Sequence, residues 1–342
     1  MKDVAEVAGV STATVSRTLM NPEKVSSQTR KRVEQAVLTV GYAPHALARH
    51  VKRSESRTLL AIVPDICDPF FADVLSGIEE TAAKQGYLVL IGDCAHQHHK
   101  EKSFVDLIIA KQIDGMLLLG ANLPFSASKE ERRNLPPMVM VMVMVMVNEF
   151  SPDLELPTVH IDNLTAAFDA VYYLHRLGHR RIACIAGPEN MHLSEYRLQG
   201  YIQALRRSGI QVDNQYIYHG SFSYETGVNG LIALMKHPAP SSAIFCHSDM
   251  MAMGVLAQAK KMKLDVPKDL SLVGFDDIEQ AQYCFPPLTI VAQPRYELGC
   301  ESMHLLLEQL QGHPVPNGSR LLNSKLVIRD STATPNYARY RV

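Results

Sequence analysis

The hydrophobic positions of this 342-residue chain change their spacing near residue 58. Before it, apolar residues recur three and four apart in short runs, the period of amphipathic helices. After it, short unbroken apolar runs alternate with longer amphipathic stretches, the pattern of buried parallel strands and the helices that cover them. In the first part, residues 3–8 read as a helix with Val4 and Val7 on one side, ended by Gly9, which adopts the left-handed cap freely. Ser11 stands where an N-cap is needed, and a second helix is predicted over 12–19 with Val15 and Leu19 turned inward. Thr12, Ala13, Ser16 and Arg17 are left outside. Asn21-Pro22 breaks this helix. Ser26 caps a third over 27–40, whose apolar stripe is Val33, Ala36, Val37 and Val40, and Gly41 stops it.

Beyond residue 58, strands are predicted over 58–64, 87–93 and 114–120, with an amphipathic helix over 70–86 and another ending near 110. A second series is predicted to open at 158–162 and continue over 181–187, 242–247 and 270–276. Two such series imply two doubly wound lobes. Ligands of these sheets bind at the carboxyl ends of the strands, here in the cleft between lobes. Residues 138–147 read MVMVMVMVMV. As one strand they would span about 33 Å, roughly twice the usual length. A two-residue repeat can slide by two without turning its faces over, so we expect a low-complexity expansion inside a core strand. An uncharged run of this kind also invites aggregation, and deleting 142–147 should improve solubility while keeping ligand binding. The tail over 334–342 reads as disordered.

Composition is ordinary for a globular chain, 46% hydrophobic and 20% charged. No run of 18 apolar residues exists, and no apolar leader follows Met1. Six scattered cysteines, at 67, 94, 184, 246, 284 and 300, lack any Cys-x-x-Cys pair and read as small buried hydrophobes in a reducing cytoplasm. His96, His98 and His99 match no zinc spacing and read as a solvated loop; neither metal nor cofactor is expected. Charge alters the picture more. Residues 1–57 hold ten Lys/Arg and five Asp/Glu, a net of +5, leaving −6 for the rest. A basic head on an acidic body is the electrostatic footprint of a nucleic-acid binder.

Two short helices joined by a glycine-containing turn form a helix-turn-helix, whose second helix enters the major groove, about 12 Å wide. Small hydroxyl residues around one arginine suit that helix, because it must sit deep and still meet base edges and phosphates. The stretch DVAEVAGVSTATVSRTLMNPEKVSSQTRKRVEQAVLTVGYAPHALAR, residues 3–49, resembles the LacI/GalR family of bacterial transcription repressors. The resemblance implies that Thr12, Ala13 and Arg17 read bases, while Thr14, Ser16, Ser26 and Thr29 fix phosphates. Pro44 opens a hinge helix with Leu47 and Val51 on one face. In the family this helix orders on DNA and pushes an apolar lever into the minor groove. Val51 is shorter than the usual leucine lever, so weaker bending is expected by gel circular permutation. Relatives carry a capping Thr or Ser just before the position of Met1; its lack here implies a frayed first helix or a natural start upstream.

The resemblance continues through the body and implies a two-lobed, periplasmic-binding-protein-like sensor. The domains expected are a helix-turn-helix over 1–43, hinge and linker over 44–58, and an effector-binding and dimerisation body over 59–342. Its first lobe would take about 59–160 and 291–320, its second about 161–290 and 321–332. Matched by position, the cleft is lined by Asp68, Phe70, Phe71, Asp162, Arg197, Phe222, Ser248, Asp249 and Asp276. The aromatic rings can stack on a base or cover a sugar face, and Arg197 and Asp276 can bond ribose hydroxyls. Chemistry alone points to a small, polar, ring-containing ligand. The stretches VPDICDPFF, IGDCAH, KQIDGMLLLG, VHIDNLTAAFDAV, FCHSD and QPRYE resemble cytidine-responsive members of the family. They imply cytidine as effector, control of nucleoside uptake and breakdown, homodimers on two-fold operator DNA, and the cyclic-AMP receptor protein as a neighbour on adjacent sites. A family member sensing another nucleoside, a purine or a sugar is the alternative. A transport solute-binding protein would not need the basic head. A nucleoside-processing enzyme would need a nucleophile, base or phosphate loop that the chain does not display.

Overall fold

The computed structural model describes residues 1–41, 56–94, 107, 110, 112–120, 143–148, 156–189, 191–313 and 319–336. The chain divides into two compact units, Met1–Arg57 and Thr58–Val342. The hinge residues Leu47 and Val51, the histidines at 96–99, residues 138–142 of the repeat and the last six residues lie outside the described residues.

The first unit holds α1 (Lys2–Ala8), α2 (Thr12–Met20) and α3 (Ser27–Val40), with a 3-10 turn at Pro22–Lys24. The caps are those the sequence predicts. Ser11 Oγ accepts the Thr14 N–H at 3.1 Å, Ser26 Oγ accepts that of Thr29 at 3.3 Å, and Gly9 and Gly41 take left-handed φ values of 60° and 61°. Helix α1 starts on Met1 with no side-chain cap. Its buried face is Val4, Ala5 and Ala8, packed with Val15, Val33 and Ala36. Val7, expected inside, is 57% exposed. Residues 4, 5 and 8 centre on one side of the helical wheel, which leaves position 7 about a quarter-turn off it. Arg32 on α3 reaches back and donates through Nη2 to the carbonyls of Ala8 (2.6 Å) and Gly9 (3.3 Å), satisfying orphan acceptors at the end of α1.

The second unit is built on two six-stranded sheets. The first contains β1 (Thr58–Val63), β2 (Leu88–Asp93), β3 (Gly115–Leu119), β4 (Val143–Val147), β5 (Thr158–Ile161) and β11 (Ser319–Leu322), in the order β11-β5-β4-β3-β1-β2, all parallel. The second contains β6 (Ile182–Ala186), β7 (Ile217–His219), β8 (Ala243–Cys246), β9 (Ser271–Asp276), β10 (Thr289–Ala292) and β12 (Lys325–Val327), in the order β12-β10-β9-β8-β6-β7. Only the β10–β12 pair in it is antiparallel. Helices α4 (Phe70–Lys84) and α9 (Arg295–Leu310) cover the first sheet; α5 (Asn163–Arg176), α6 (His192–Arg207), α7 (Tyr224–Leu234) and α8 (Asp249–Lys261) cover the second.

Residues 158–162 do not open the second series. Strand β5 closes on β4 and β11 in the first sheet, and the chain crosses afterwards, at Asp162. The other crossovers fall at 293–294 and 323–324. A lobe boundary near 291 would cut β10, which runs to Ala292 beside β9. The Met-Val repeat enters as a five-residue strand, with Val145, Met146 and Val147 buried. Cys67 is exposed and Cys284 and Cys300 are half-buried, unlike the other three cysteines; all six are free thiols. Among the described residues, no helix is long and apolar enough to cross a membrane.

Helices α7 and α8 approach through reciprocal glycines. A Cβ on Gly227 would stand 1.9 Å from the Met251 carbonyl oxygen, and one on Gly254 would stand 2.0 Å from that of Tyr224. Neither obstacle is a side chain that can swing away. Gly254→Ala must therefore part the helices and should destabilise the body by about 1–3 kcal/mol in urea unfolding. An unchanged midpoint would show that the helices part at no cost.

Candidate functional site

On the head, Thr12, Ala13 and Arg17 are exposed along α2, while Thr14 and Ser16 are half-buried at its edge. Val15 and Thr18 are the buried residues of the same helix. One face therefore packs and the other presents the Thr12 hydroxyl, the Ala13 methyl and the Arg17 guanidinium. Ser26 Oγ donates to Thr29 Oγ1 at 2.9 Å, so the Thr29 hydroxyl proton is left to point outward at the start of α3. Thr12 to Thr14 and Ser26 to Thr29 stand at two helix amino ends, where free backbone N–H groups favour phosphate, while Arg17 lies in the last turn of α2.

The body's polar centre lies where β6, β8 and β9 end. Arg197, on α6, is 1% exposed. Its Nε donates to Asn163 Oδ1 at 2.9 Å, its Nη1 to the His247 carbonyl, and its Nη2 stands 3.5 Å from Asp276 Oδ1. The guanidinium carbon lies 3.7 Å above the Phe275 ring centroid. Burial lowers the Arg197 pKa to about 10, against the pull of Asp276 and Asp249. Asp276 closes β9 with φ 113°, and its Oδ1 accepts from Gln293 Nε2 at 2.8 Å. Burial lifts its carboxyl to about 7, opposed by Arg197 and reinforced by the negative charge of Asp68.

The remaining residues expected in the cleft cap helices, pack in the core or lie against backbone. Asp68 Oδ1 accepts the Phe70 N–H at 3.0 Å and starts α4. Phe70 and Phe71 meet edge to face, centroids 5.1 Å apart, and both belong to the body's apolar core. Phe222 is half-buried and lies on Gly187. Ser248 caps α8 through the Met251 N–H. Asp249 is wholly buried and accepts the Ile278 N–H at 2.9 Å, while burial and Asp276 push its carboxyl well above the usual range. Asp162 is exposed, and both its oxygens cap α5 through Thr165, at 3.0 and 2.6 Å. Pattern reading passed over Asn163, His247, Phe275 and Gln293. The available signal was their position: each stands at or just past the carboxyl end of an apolar strand.

A second set of charges ties the lobes at the crossovers. Arg295 Nη2 contacts Asp73 Oδ2 on α4 at 2.8 Å and donates to the Asp277 carbonyl beyond β9 at 2.7 Å. Arg329 Nη2 holds the Asp277 carboxylate at 2.7 Å. These residues border a cavity of about 410 Å³.

Residues 1–45 match the family model for bacterial regulatory proteins of the lacI family, and residues 171–332 match that for the periplasmic binding protein-like domain. The HTH-type transcriptional repressor CytR of Escherichia coli (strain K12) is 65% identical over 332 residues, 97% of this chain and 96% of that protein. The chain belongs to the LacI family. The ribose operon repressor of Escherichia coli (strain K12) is 33% identical, over 91% of this chain and 92% of its own length. The crystal structure of the lac repressor dimer bound to operator and the anti-inducer ONPF is 26% identical, with a TM-score of 0.85 over 97% of this chain and 98% of that one. This LacI-family protein is therefore a DNA-binding transcription regulator with an effector-binding body, and not an enzyme. Repressors of the family bind operator DNA and small-molecule effectors and function as dimers.

Proposed function

We propose that this protein is a dimeric repressor of genes for nucleoside uptake and breakdown, and that cytidine in the interlobe cleft relieves the repression. The observation that carries the reading is the 65% identity to a transcriptional repressor across 97% of the chain, both lobes included. The cytidine assignment is supported by the stretches quoted above, by the buried pairing of Arg197 with Asp276, and by the half-buried ring of Phe222. In this reading Thr12, Ala13 and Arg17 meet base edges, and Thr14, Ser16, Ser26 and Thr29 meet phosphates. Leu47 and Val51 act in the minor groove between two half-sites. The cyclic-AMP receptor protein is the expected neighbour on adjacent sites, and the cytoplasm the expected compartment. Ligand can shift the lobes only by its differential affinity for their two arrangements.

The test is calorimetric titration of the purified protein with cytidine, adenosine and ribose, followed by operator release in a gel-shift assay. Tighter binding of cytidine than of adenosine or ribose, with loss of the operator complex, is the expected result. Preference for adenosine or ribose would overturn the effector, and turnover of any of them would overturn the class. Arg17→Ala should cost about 1–3 kcal/mol of discrimination at one base pair of each half-site, measured as the ratio of operator to mutated-operator affinity. An unchanged ratio with uniformly weaker binding would move Arg17 from base to phosphate.

A further inference from the structure

We propose that His247 is a positioning residue for effector recognition: through the Gly187 peptide it sets the Phe222 ring as the platform for the ligand's base. The proposal rests on the effector reading above. His247 immediately follows β8 and is fully buried. Its Nδ1 accepts the Gly187 N–H at 3.2 Å, just past the end of β6, and lies 3.5 Å from Ser194 Oγ. Its Nε2 faces Cys184 Sγ at 3.4 Å. The imidazole therefore spans the ends of two adjacent strands, at the switch point of the second sheet where doubly wound folds take their ligands. Burial and the Arg197 charge keep the ring neutral, which leaves Nδ1 as acceptor and the proton on Nε2.

Gly187 is also the residue on which Phe222 lies. A Cβ there would meet Phe222 Cζ at 2.5 Å and Cε1 at 2.7 Å, so ring and backbone are in contact with no side chain between them. The height of that peptide decides where the ring stands. Phe222 itself sits between β7 and α7, outside either element. Meanwhile the His247 carbonyl accepts from Arg197. One residue thereby orients, through its backbone, the cation that partners Asp276 and, through its side chain, the aromatic platform. A pyrimidine stacked on Phe222 depends on the side-chain half of this arrangement. A free sugar depends on the Arg197 half, which substitution of the side chain leaves in place.

The test is a double-mutant cycle in the full chain, using His247→Ala, Phe222→Ala and the pair, titrated with cytidine and with ribose. Each single variant should weaken cytidine binding about tenfold, the scale of one base–aromatic stack. The pair should be no weaker than Phe222→Ala alone, and ribose affinity should not move. His247→Asn should restore binding, since its Oδ1 can accept the Gly187 N–H where Nδ1 did. Additive losses, or failure of the Asn variant to rescue, would overturn the proposal. A ligand-free readout separates it from the effector assignment. With fluorinated phenylalanine at position 222, His247→Ala should shift or broaden the ¹⁹F resonance and His247→Asn should leave it near the wild-type position. An unshifted resonance in the Ala variant overturns the proposal whatever the effector proves to be.

Discussion

Arg197→Met should destabilise the body by about 3–5 kcal/mol near pH 8 and abolish effector binding, with a smaller loss of stability at pH 5. The size follows from removing one partner of a buried ion pair, which leaves the other charge without compensation. Three acceptors lose their donor together: Asn163 Oδ1, the His247 carbonyl and Asp276. The pH dependence follows from Asp276. Its carboxyl sits at about 7 in the folded chain, above its ordinary 3.8, even with Arg197 pulling it down. A raised carboxyl contributes stability that is present below the unfolded value and is lost as pH rises through the folded value. Without Arg197 the folded value climbs further, so the variant still holds its proton where the wild type has released it. The gap between the two proteins therefore widens above pH 7, by up to about 1.4 kcal/mol per pH unit for one proton. The chain has no tryptophan, so circular dichroism in urea at the two pH values is the suitable measurement. A cost independent of pH would mean that Asp276 is not the group left stranded.

Deleting Val147 alone should unfold the first lobe, while deleting the six residues 142–147 should leave its fold intact. The repeat cannot choose its own register, because every shift by two presents the same residues. The register is set next door. Asn148 takes φ 69°, tolerated by asparagine, and its N–H reaches the Val159 carbonyl at 2.8 Å while Met146 reaches that of Pro157. With Asn148 held, Val145 and Val147 pack in the core that contains Leu117 and Leu119, and Met146 points to the opposite buried face. Removal of six residues brings Met-Val-Met-Val from 138–141 up to Asn148 in the same parity. Removal of one puts methionine into each valine site and valine into each methionine site. Overpacking costs about 1–3 kcal/mol per position, and here it strikes neighbouring positions together. Soluble yield and thermal melting of the two deletions give the comparison. Equal behaviour of both would show that Asn148 does not hold the register.

Much of the head was legible because its signals are local. Ser11, Ser26, Gly9 and Gly41 act on backbone groups within four residues of themselves, so reading them in order recovers three helices and their ends. The inward face of α1 was read less well, since Val7 looks apolar on any wheel and only packing against α2 and α3 decides which sector closes. In the body, strands with unbroken apolar runs were legible. The short strands β7, β10, β11 and β12 carry too few residues for a period to declare itself. The polar residues at Asp68 and Asp276 were found by matching positions, but His247 was not: its place just past an apolar strand is its one local signal, and its hydrogen bonds run to Gly187, Ser194 and Cys184, more than 50 residues away.

The sequence by itself determined the class of this protein. A basic head with capped short helices and two series of βα units rest on spacing and charge along the chain, and the quoted residues carry the resemblance to the LacI family that runs through both. The tertiary structure decided how those parts are used. It assigned β5 to the first sheet, since parallel partners are chosen by which apolar faces can be covered together. It turned Asp162 into a helix cap and sealed Asp249 in the core. It also gathered Arg197, Asn163, His247, Asp276 and Gln293 into one polar centre. That outcome comes from desolvation: a buried guanidinium must find acceptors wherever the fold brings them, and no local pattern records which ones those are.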